Sequence, residues 1–169
     1  MPSGIAGSDA RSVALDTGPG WNEKVFTFYD ITGATGLEAA LAEFEGGDLV
    51  VNVVDMPIKC PVAPLEFCFL ADWYFTDRGI RDRVDLTFVT PLDGAFTKPV
   101  ASGVLGGLLE EKGIHLETEF ATGEVDGAAG VLKSWDEREV PYDLLVTIPA
   151  HGGAAYVERS PGLGDELGF

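Results

Sequence analysis

The sequence predicts an α/β fold in which a central, mainly parallel sheet is covered by helices and by a β-meander. Apolar, β-branched runs such as the one at residues 49–54 are typical of strands that are buried on both faces. Amphipathic segments of helix length follow two of these runs, as in βαβ units. Between residues 121 and 142, three further short strands are punctuated by Gly127 and Gly130. These features together predict a Rossmann-like three-layer domain.

The predicted elements alternate along the chain. A first helix is predicted over residues 36–45, with Thr35 as its N-cap and Gly46 and Gly47 as its stop. The core is then predicted as strand 48–54, helix 64–77, strand 84–90, helix 99–112, strand 114–120 and strand 143–148. The strands of the meander are predicted at 124–126, 130–134 and 138–140.

The two longer helices carry apolar residues at helical spacing, which predicts the faces that they bury. For the helix at 64–77, the inward residues are Leu65, Phe67, Cys68, Phe69, Leu70, Ala71, Tyr74 and Phe75. For the helix at 99–112, they are Val100, Val104, Leu105, Leu108 and Leu109. Cys68 is therefore predicted to be a core residue.

These elements divide the chain into three parts. Residues 1–30 show no sustained periodicity and are predicted to be an irregular N-terminal segment whose aromatic residues dock against the fold. Residues 31–150 are predicted to form an NAD(P)-binding-like Rossmann domain, and residues 151–169 a loop-rich tail.

The balance of charges excludes several classes of partner. The 28 acidic and 11 basic residues give a formal charge of −17, which argues against nucleic acid and anionic membranes. The acidic residues are dispersed, as in the solvated shell of a halophilic protein in a high-salt cytoplasm. An ordinary acidic surface or a basic protein partner is the alternative.

A cytoplasmic location is expected from two further features. No window approaches the ~18 uninterrupted apolar residues of a transmembrane helix, and the N-terminus does not have the pattern of a signal peptide. Cys60 and Cys68 are accordingly expected to be reduced thiols. On one helix they would be ~12 Å apart, which is too far for a disulfide.

The loop after strand 48–54 occupies the position of a dinucleotide-binding turn but contains none of its glycines. A pyrophosphate site requires a Gly-rich turn there and an acidic residue at the end of the next strand. The loop reads MPIKCPVA over residues 56–63, and the next strand is followed by Pro91 before Asp93 is reached. Binding of NAD(P) by this domain is therefore disfavoured.

A cysteine takes the place of those glycines. Cys60 is predicted beyond the carboxyl end of a strand and before a helix, which is a favoured position for ligands in α/β sheets. The positive end of the helix and the neighbouring Lys59 would favour its thiolate, and prolines at 57, 61 and 64 would restrict the loop. On the residues alone, a small buried hydrophobic side chain is the alternative interpretation of Cys60.

The two histidines have different predicted positions. His115 is expected at the surface of strand 114–120. His151 and Gly152 follow the last parallel strand and could face the same ligand region as Cys60, or form an ordinary loop. Two separated histidines and two separated cysteines give no ligand spacing, so no metal site is predicted.

Five stretches of the sequence resemble the second, central nucleotide-binding-like domain of sulfide:quinone oxidoreductases, a family of the FAD-dependent pyridine nucleotide-disulfide oxidoreductase superfamily. They are IKCPVAPLEFCFLADWYFTDRGIRDRVDLTFVTP, PLDGAFTKP, EEKGIHLETEF, VPYDLLVTIPAHGG and SPGLGDELGF. The resemblance extends over residues 21–169, and K-C-x-x-A-P is its specific motif.

The resemblance implies a redox role for Cys60. In that family, a cysteine in this loop reacts with sulfide on the flavin side of the domain, and electrons pass through FAD to quinone. Carried over to this chain, Cys60 is the redox cysteine, Lys59 supports its thiolate, and His151 and Gly152 are candidates for flavin-side contacts. FAD, sulfide and quinone are the implied cofactor and partners of the parent protein.

The sequence departs from that family in several respects. Four features of that family are not found in it. These are the Gly-rich FAD fingerprint, the Gly-Asp flavin motif, the partner cysteine and the membrane-associating C-terminal region. The tail 151–169 would lead to a missing part of an FAD domain. The chain alone is therefore expected to hold no FAD and to be inactive, whereas the parent would be an enzyme at the membrane periphery. Formation of a homo-oligomer is left open.

Two other functions are compatible with the sequence. One is a non-enzymatic thiol or protein-interaction domain that kept the Rossmann fold and lost flavin binding. The other is an NADH-dependent flavin oxidoreductase, which the missing glycines disfavour.

Overall fold

The computed structural model describes residues 19–151 and 155–164. Its strands are β1 Val25–Phe26, β2 Gly47–Val53, β3 Val84–Val89, β4 Ile114–Glu117, β5 Thr122–Asp126, β6 Val131–Ser134, β7 Glu139–Pro141 and β8 Leu144–Ile148. Its helices are α1 Ile31–Glu43, α2 Ala63–Asp77, α3 Pro99–Glu111 and α4 Ala155–Glu158, with a 3-10 turn at Arg81–Arg83. None of the helices in these residues is long and apolar enough to span a membrane.

The strands form two sheets that stack on one another. Five parallel strands follow the order β1-β8-β2-β3-β4, and β5, β6 and β7 form an antiparallel meander. Successive side chains of β2 point to opposite faces. Leu49 and Val51 pack with Leu65 and Phe75 of α2, whereas Val50 belongs to a second apolar cluster with residues of the meander. Helices therefore cover one face and the meander the other, which confirms the predicted α/β fold.

The first helix begins earlier than predicted. Asp30, and not Thr35, is the N-cap, because its carboxylate accepts a hydrogen bond from the N–H of Gly33 at 2.7 Å. Thr35 lies inside the helix, where its hydroxyl donates to the Ile31 carbonyl. Gly33 is required within this helix, since an added Cβ would lie 2.3 Å from the carbonyl oxygen of Thr27.

Two short elements were not predicted from the sequence. Within the N-terminal segment 1–30, β1 joins the parallel sheet and pairs with β8 in the register Val25↔Leu145. In the tail 151–169, α4 forms a single helical turn. Elements of two and four residues are too short to show a periodicity.

The long helices bury fewer residues than predicted. In α2, Leu65, Cys68 and Phe75 are buried, but Leu70 is exposed. In α3, Leu109 is buried and Leu105 partly buried, whereas the other three predicted core residues are exposed; these are Val100, Val104 and Leu108. The helix α3 lies beside the edge strand β4, so the sheet covers only a narrow stripe of its surface.

Candidate functional site

The loop between β2 and α2 lies at the carboxyl edge of the parallel sheet, beside the end of β8. Val54 extends the pairing of these strands by donating its N–H to the Ile148 carbonyl at 3.1 Å. His151 follows β8, and its Nδ1 accepts a hydrogen bond from the backbone N–H of Lys59 at 2.8 Å. The fold therefore brings Lys59, Cys60 and His151 to one edge of the sheet, where ligands of α/β proteins bind.

Cys60 is exposed and lies three residues before α2. Its carbonyl oxygen accepts hydrogen bonds from the N–H of Ala63 at 3.1 Å and from the hydroxyl of Tyr29 at 3.3 Å. On the same loop, Ile58 is buried. The backbone that carries the thiol is thus anchored while the side chain remains open to solvent. This exposure does not agree with the alternative in which Cys60 is a buried hydrophobic residue.

His151 is a buried contact of the loop that carries Cys60. Its side chain is buried, and the ring of Tyr29 packs edge-on against it with centroids 4.5 Å apart. Burial and the nearby charge of Lys59 lower the pKa of His151. Because Nδ1 accepts the Lys59 N–H, the proton of the neutral ring is assigned to Nε2. The flavin-side contact of His151 stays a prediction, as does that of Gly152, which lies outside the described residues.

Tyr29 is the site residue that sequence reasoning missed. Phe28 stacks on Tyr29 with ring centroids 5.1 Å apart, and Phe67 of α2 stacks on Phe28 at 5.3 Å. Burial and the charge of Cys60 raise the pKa of Tyr29, against the lowering effect of its bond to the Cys60 carbonyl, so the phenol remains a donor at neutral pH. The only available signal was the run of aromatic residues after β1, which indicated docking but no partner.

The remaining candidates lie on other elements, Cys68 within α2 and His115 on β4. Cys68 has no exposed surface, and burial raises the pKa of its thiol, which agrees with the predicted core position. His115 is exposed, as predicted, and lies 3.6 Å from Glu117. Across residues 19–151 and 155–164, no three or more His, Cys, Asp or Glu side chains are grouped so that they could hold a metal ion.

Comparisons with known proteins show which proteins the chain and its fold are similar to. No protein-family model matches the chain. It is 24% identical over 152 residues to mitochondrial sulfide:quinone oxidoreductase of Mus musculus, covering 86% of this chain and 34% of the relative. It is 27% identical over 127 residues to that of Dictyostelium discoideum, covering 73% and 28%. The solved sulfide:quinone oxidoreductase of Aquifex aeolicus superposes with a TM-score of 0.66 at 20% identity, over 83% of this chain and 34% of that one.

The chain resembles the sulfide:quinone oxidoreductases. It spans about a third of the length of the curated sulfide:quinone oxidoreductases that it matches. The structural likeness establishes a Rossmann-like α/β fold.

The loop after β2 does not form a phosphate cradle for FAD, the cofactor that this resemblance implies. A pyrophosphate would need free backbone N–H groups at this turn and at the start of α2. Here the N–H of Lys59 is bonded to His151, and that of Ala63 to the Cys60 carbonyl. Pro61 and Pro64 have no N–H to offer. The described residues of this loop therefore do not form a cradle for the phosphates of FAD, and an exposed thiol lies at the turn instead.

Replacement of His151 by Phe is expected to loosen the loop between β2 and α2, which carries Cys60, without unfolding the domain. The Phe ring can keep the contact with Tyr29 but cannot accept the N–H of Lys59. A neutral hydrogen bond contributes ~1 kcal/mol, so the hydrogen-exchange protection factor of the Lys59 amide should fall by roughly fivefold. In the wild type, the same amide should be protected at pH 7 and lose protection only below the ordinary histidine value of 6.5, because the pKa is lowered and protonation of Nδ1 removes the acceptor.

The matched control is His115→Phe, which changes an exposed histidine away from the loop. Its Lys59 amide should exchange as in the wild type. An unchanged protection factor in His151→Phe would show that the bond between Lys59 and His151 does not hold the loop.

Proposed function

We propose that this chain is the thiol-bearing domain of a flavin-dependent oxidoreductase similar to sulfide:quinone oxidoreductase, in which Cys60 captures the sulfur of sulfide. In the proposed parent protein, another part of the molecule supplies FAD, which accepts the electrons and passes them to quinone. The isolated domain is proposed to be inactive in that reaction. Cys60 carries the proposal, because it is an exposed thiol on an anchored loop at the ligand edge of the sheet.

The residues of the loop have separate proposed tasks. The thiolate of Cys60 bonds to the sulfur of hydrosulfide, with one proton released and two electrons passed to the FAD of the proposed parent protein. Lys59 is exposed beside it and provides a positive charge that favours the approach of anions such as hydrosulfide or polysulfide. Tyr29 and His151 bond to the loop backbone and are therefore positioning residues. None of these tasks requires a nucleotide within this domain.

Sulfur capture can be tested on the 169-residue chain with inorganic polysulfide. The Cys60 thiolate attacks one sulfur atom of the polysulfide, a new S–S bond forms as another breaks, and a shorter polysulfide anion leaves. Peptide mass mapping should then find added sulfur on Cys60 and none on Cys68. Hydrosulfide alone should modify neither cysteine, because the new S–S bond would require an oxidant.

The proposed task of Lys59 has its own measurement. Lys59→Ala should slow the modification of Cys60 by roughly threefold at low ionic strength, and the difference should disappear near ~1 M salt because the charge is screened. If polysulfide left Cys60 unmodified, or modified both cysteines equally, the proposed role of Cys60 in sulfur capture would be wrong. An equal rate in Lys59→Ala would remove Lys59 from the proposal but leave Cys60 in place.

A further inference from the structure

The outer face of α3 carries an apolar ridge that no other described element covers. Val100, Val104 and Leu108 follow one another at intervals of four residues and are 85%, 61% and 39% exposed. Side chains at this spacing lie in one row along a helix. The neighbouring helix α2 adds exposed Leu70 and Trp73 to the same layer. Contiguous exposed apolar surface of this kind marks an interaction site more often than an ordinary surface.

A groove runs beside the ridge. Gly103 and Gly107 form the adjacent row at the same four-residue interval, and a Cβ added to either glycine would meet nothing within 4 Å. When two helices cross, the i±4 ridge of one packs into the i±4 groove of the other, at an angle near ~−50°. The face of α3 therefore contains both a ridge and the groove that such a ridge fills. It is complementary to a second copy of itself.

The charges at the two ends of α3 select the direction of that second copy. Lys98 is exposed at the N-terminal end, and Glu110 and Glu111 are exposed at the C-terminal end. A parallel copy would place acidic residues against acidic residues and would align the two helix dipoles. An antiparallel copy places Lys98 of each chain opposite Glu110 and Glu111 of the other, and opposes the dipoles.

We propose that α3 is the interface of a homodimer in which two chains cross antiparallel, with Val104 at the two-fold axis. Val100 of each chain then lies against Leu108 of the other, and each ridge fills the glycine groove of its partner. One helix pair buries less than the ~1,200 Å² of a standard interface, so the dimer is weak. High salt weakens the repulsion between the two chains, because the charge of −17 on each is screened.

The dimer is tested by sedimentation equilibrium of the full chain from about 1 µM to about 500 µM protein in high salt. Val104→Asp should raise the Kd at least ~10-fold, because it buries a carboxylate at the two-fold axis. The matched control is Ile31→Asp, which adds the same charge. Ile31 is 81% exposed and lies on α1, away from this face. Circular dichroism confirms that both variants are folded. A wild-type chain that stays monomeric throughout, or a dimer that Val104→Asp leaves intact, overturns the proposal.

Cysteine cross-linking tests the direction of the pairing. In a Cys60→Ser background, which removes the exposed natural thiol, Val104→Cys should form a disulfide-linked dimer on mild oxidation. Val100→Cys should cross-link to Leu108→Cys when the two proteins are mixed, and only weakly to itself. Efficient self-linking of Val100→Cys with no link to Leu108→Cys would indicate a parallel or unrelated contact and would overturn the antiparallel assignment.

Discussion

Cys60 is expected to react with iodoacetamide at neutral pH at least about a thousandfold faster than Cys68. The Cys60 side chain is open to solvent, whereas Cys68 has no exposed surface. Burial also raises the pKa of the Cys68 thiol, so that little thiolate is present. The reagent reaches Cys68 only when α2 opens, and the core of a stable domain is open in about one molecule in 10⁴ or fewer.

The two rates are measured by mass spectrometry of peptides taken during alkylation at pH 7. In guanidinium chloride the two cysteines should react at similar rates, which controls for the reagent and for the neighbouring sequence. Equal and slow labelling of both thiols in the folded chain would contradict the exposed position of Cys60. It would also restore the interpretation of Cys60 as a buried hydrophobic residue.

Replacement of Asp72 by Asn is expected to lower the free energy of unfolding by about 3 kcal/mol at pH 7. The buried carboxylate accepts hydrogen bonds from Arg81 Nε at 2.8 Å and from Lys112 Nζ at 2.7 Å. Arg81 also donates to the carbonyl oxygens of Val84 and Lys112. One carboxylate therefore joins α2, the turn before β3 and the end of α3. An amide in its place leaves two cations without a counter-charge.

This stabilisation should depend on pH in a defined direction. Burial raises the pKa of Asp72, but the hydrogen bonds and charges of Lys112 and Arg81 outweigh that effect and lower it below the ordinary 3.8. Because the pKa is lower in the folded state, the stabilisation is complete above about pH 4–5 and is lost as the pH falls through the folded value. The difference between the wild type and Asp72→Asn should accordingly shrink between pH 7 and pH 3.

Urea denaturation at both pH values provides the measurement, and Asp77→Asn provides the control. Asp77 is an exposed carboxylate at the end of the same helix, and its replacement should change the free energy of unfolding by less than ~0.5 kcal/mol. A loss in Asp72→Asn no larger than this control would show that the three-way contact does not stabilise the domain.

The parallel sheet and its helices could be predicted because β2 and α2 carry long apolar runs with a clear period. The covered face of α3 could not be predicted, since the apolar residues of this helix extend from Val100 to Leu109 over about half of its circumference. Only contact with the sheet selects the side that bears Leu109. Asp30 and Thr35 both suit an N-cap by residue type, and the choice between them depends on the packing of Gly33, which is a tertiary contact.

The position of the site was easier to predict than its internal contacts. Cys60 and His151 both follow parallel strands, and the carboxyl ends of such strands meet at one edge of a sheet. Nothing local, however, indicates that His151 would be buried and accept a bond from Lys59. Tyr29 lies 31 residues before Cys60, so its contact with that loop emerges only from the fold.

The pairing of β1 with β8 has a consequence for the time at which the thiol site is completed. These strands are neighbours in space, but nearly the whole domain lies between them in sequence. Closing so long a loop lowers the conformational entropy of the chain, and the loop has to close before the contacts that offset this loss can form. Tyr29 follows β1 and His151 follows β8, so the two supports of the loop meet only when both strands are in place. A chain emerging from the ribosome therefore cannot position Cys60 until the residues beyond β8 have left the exit tunnel.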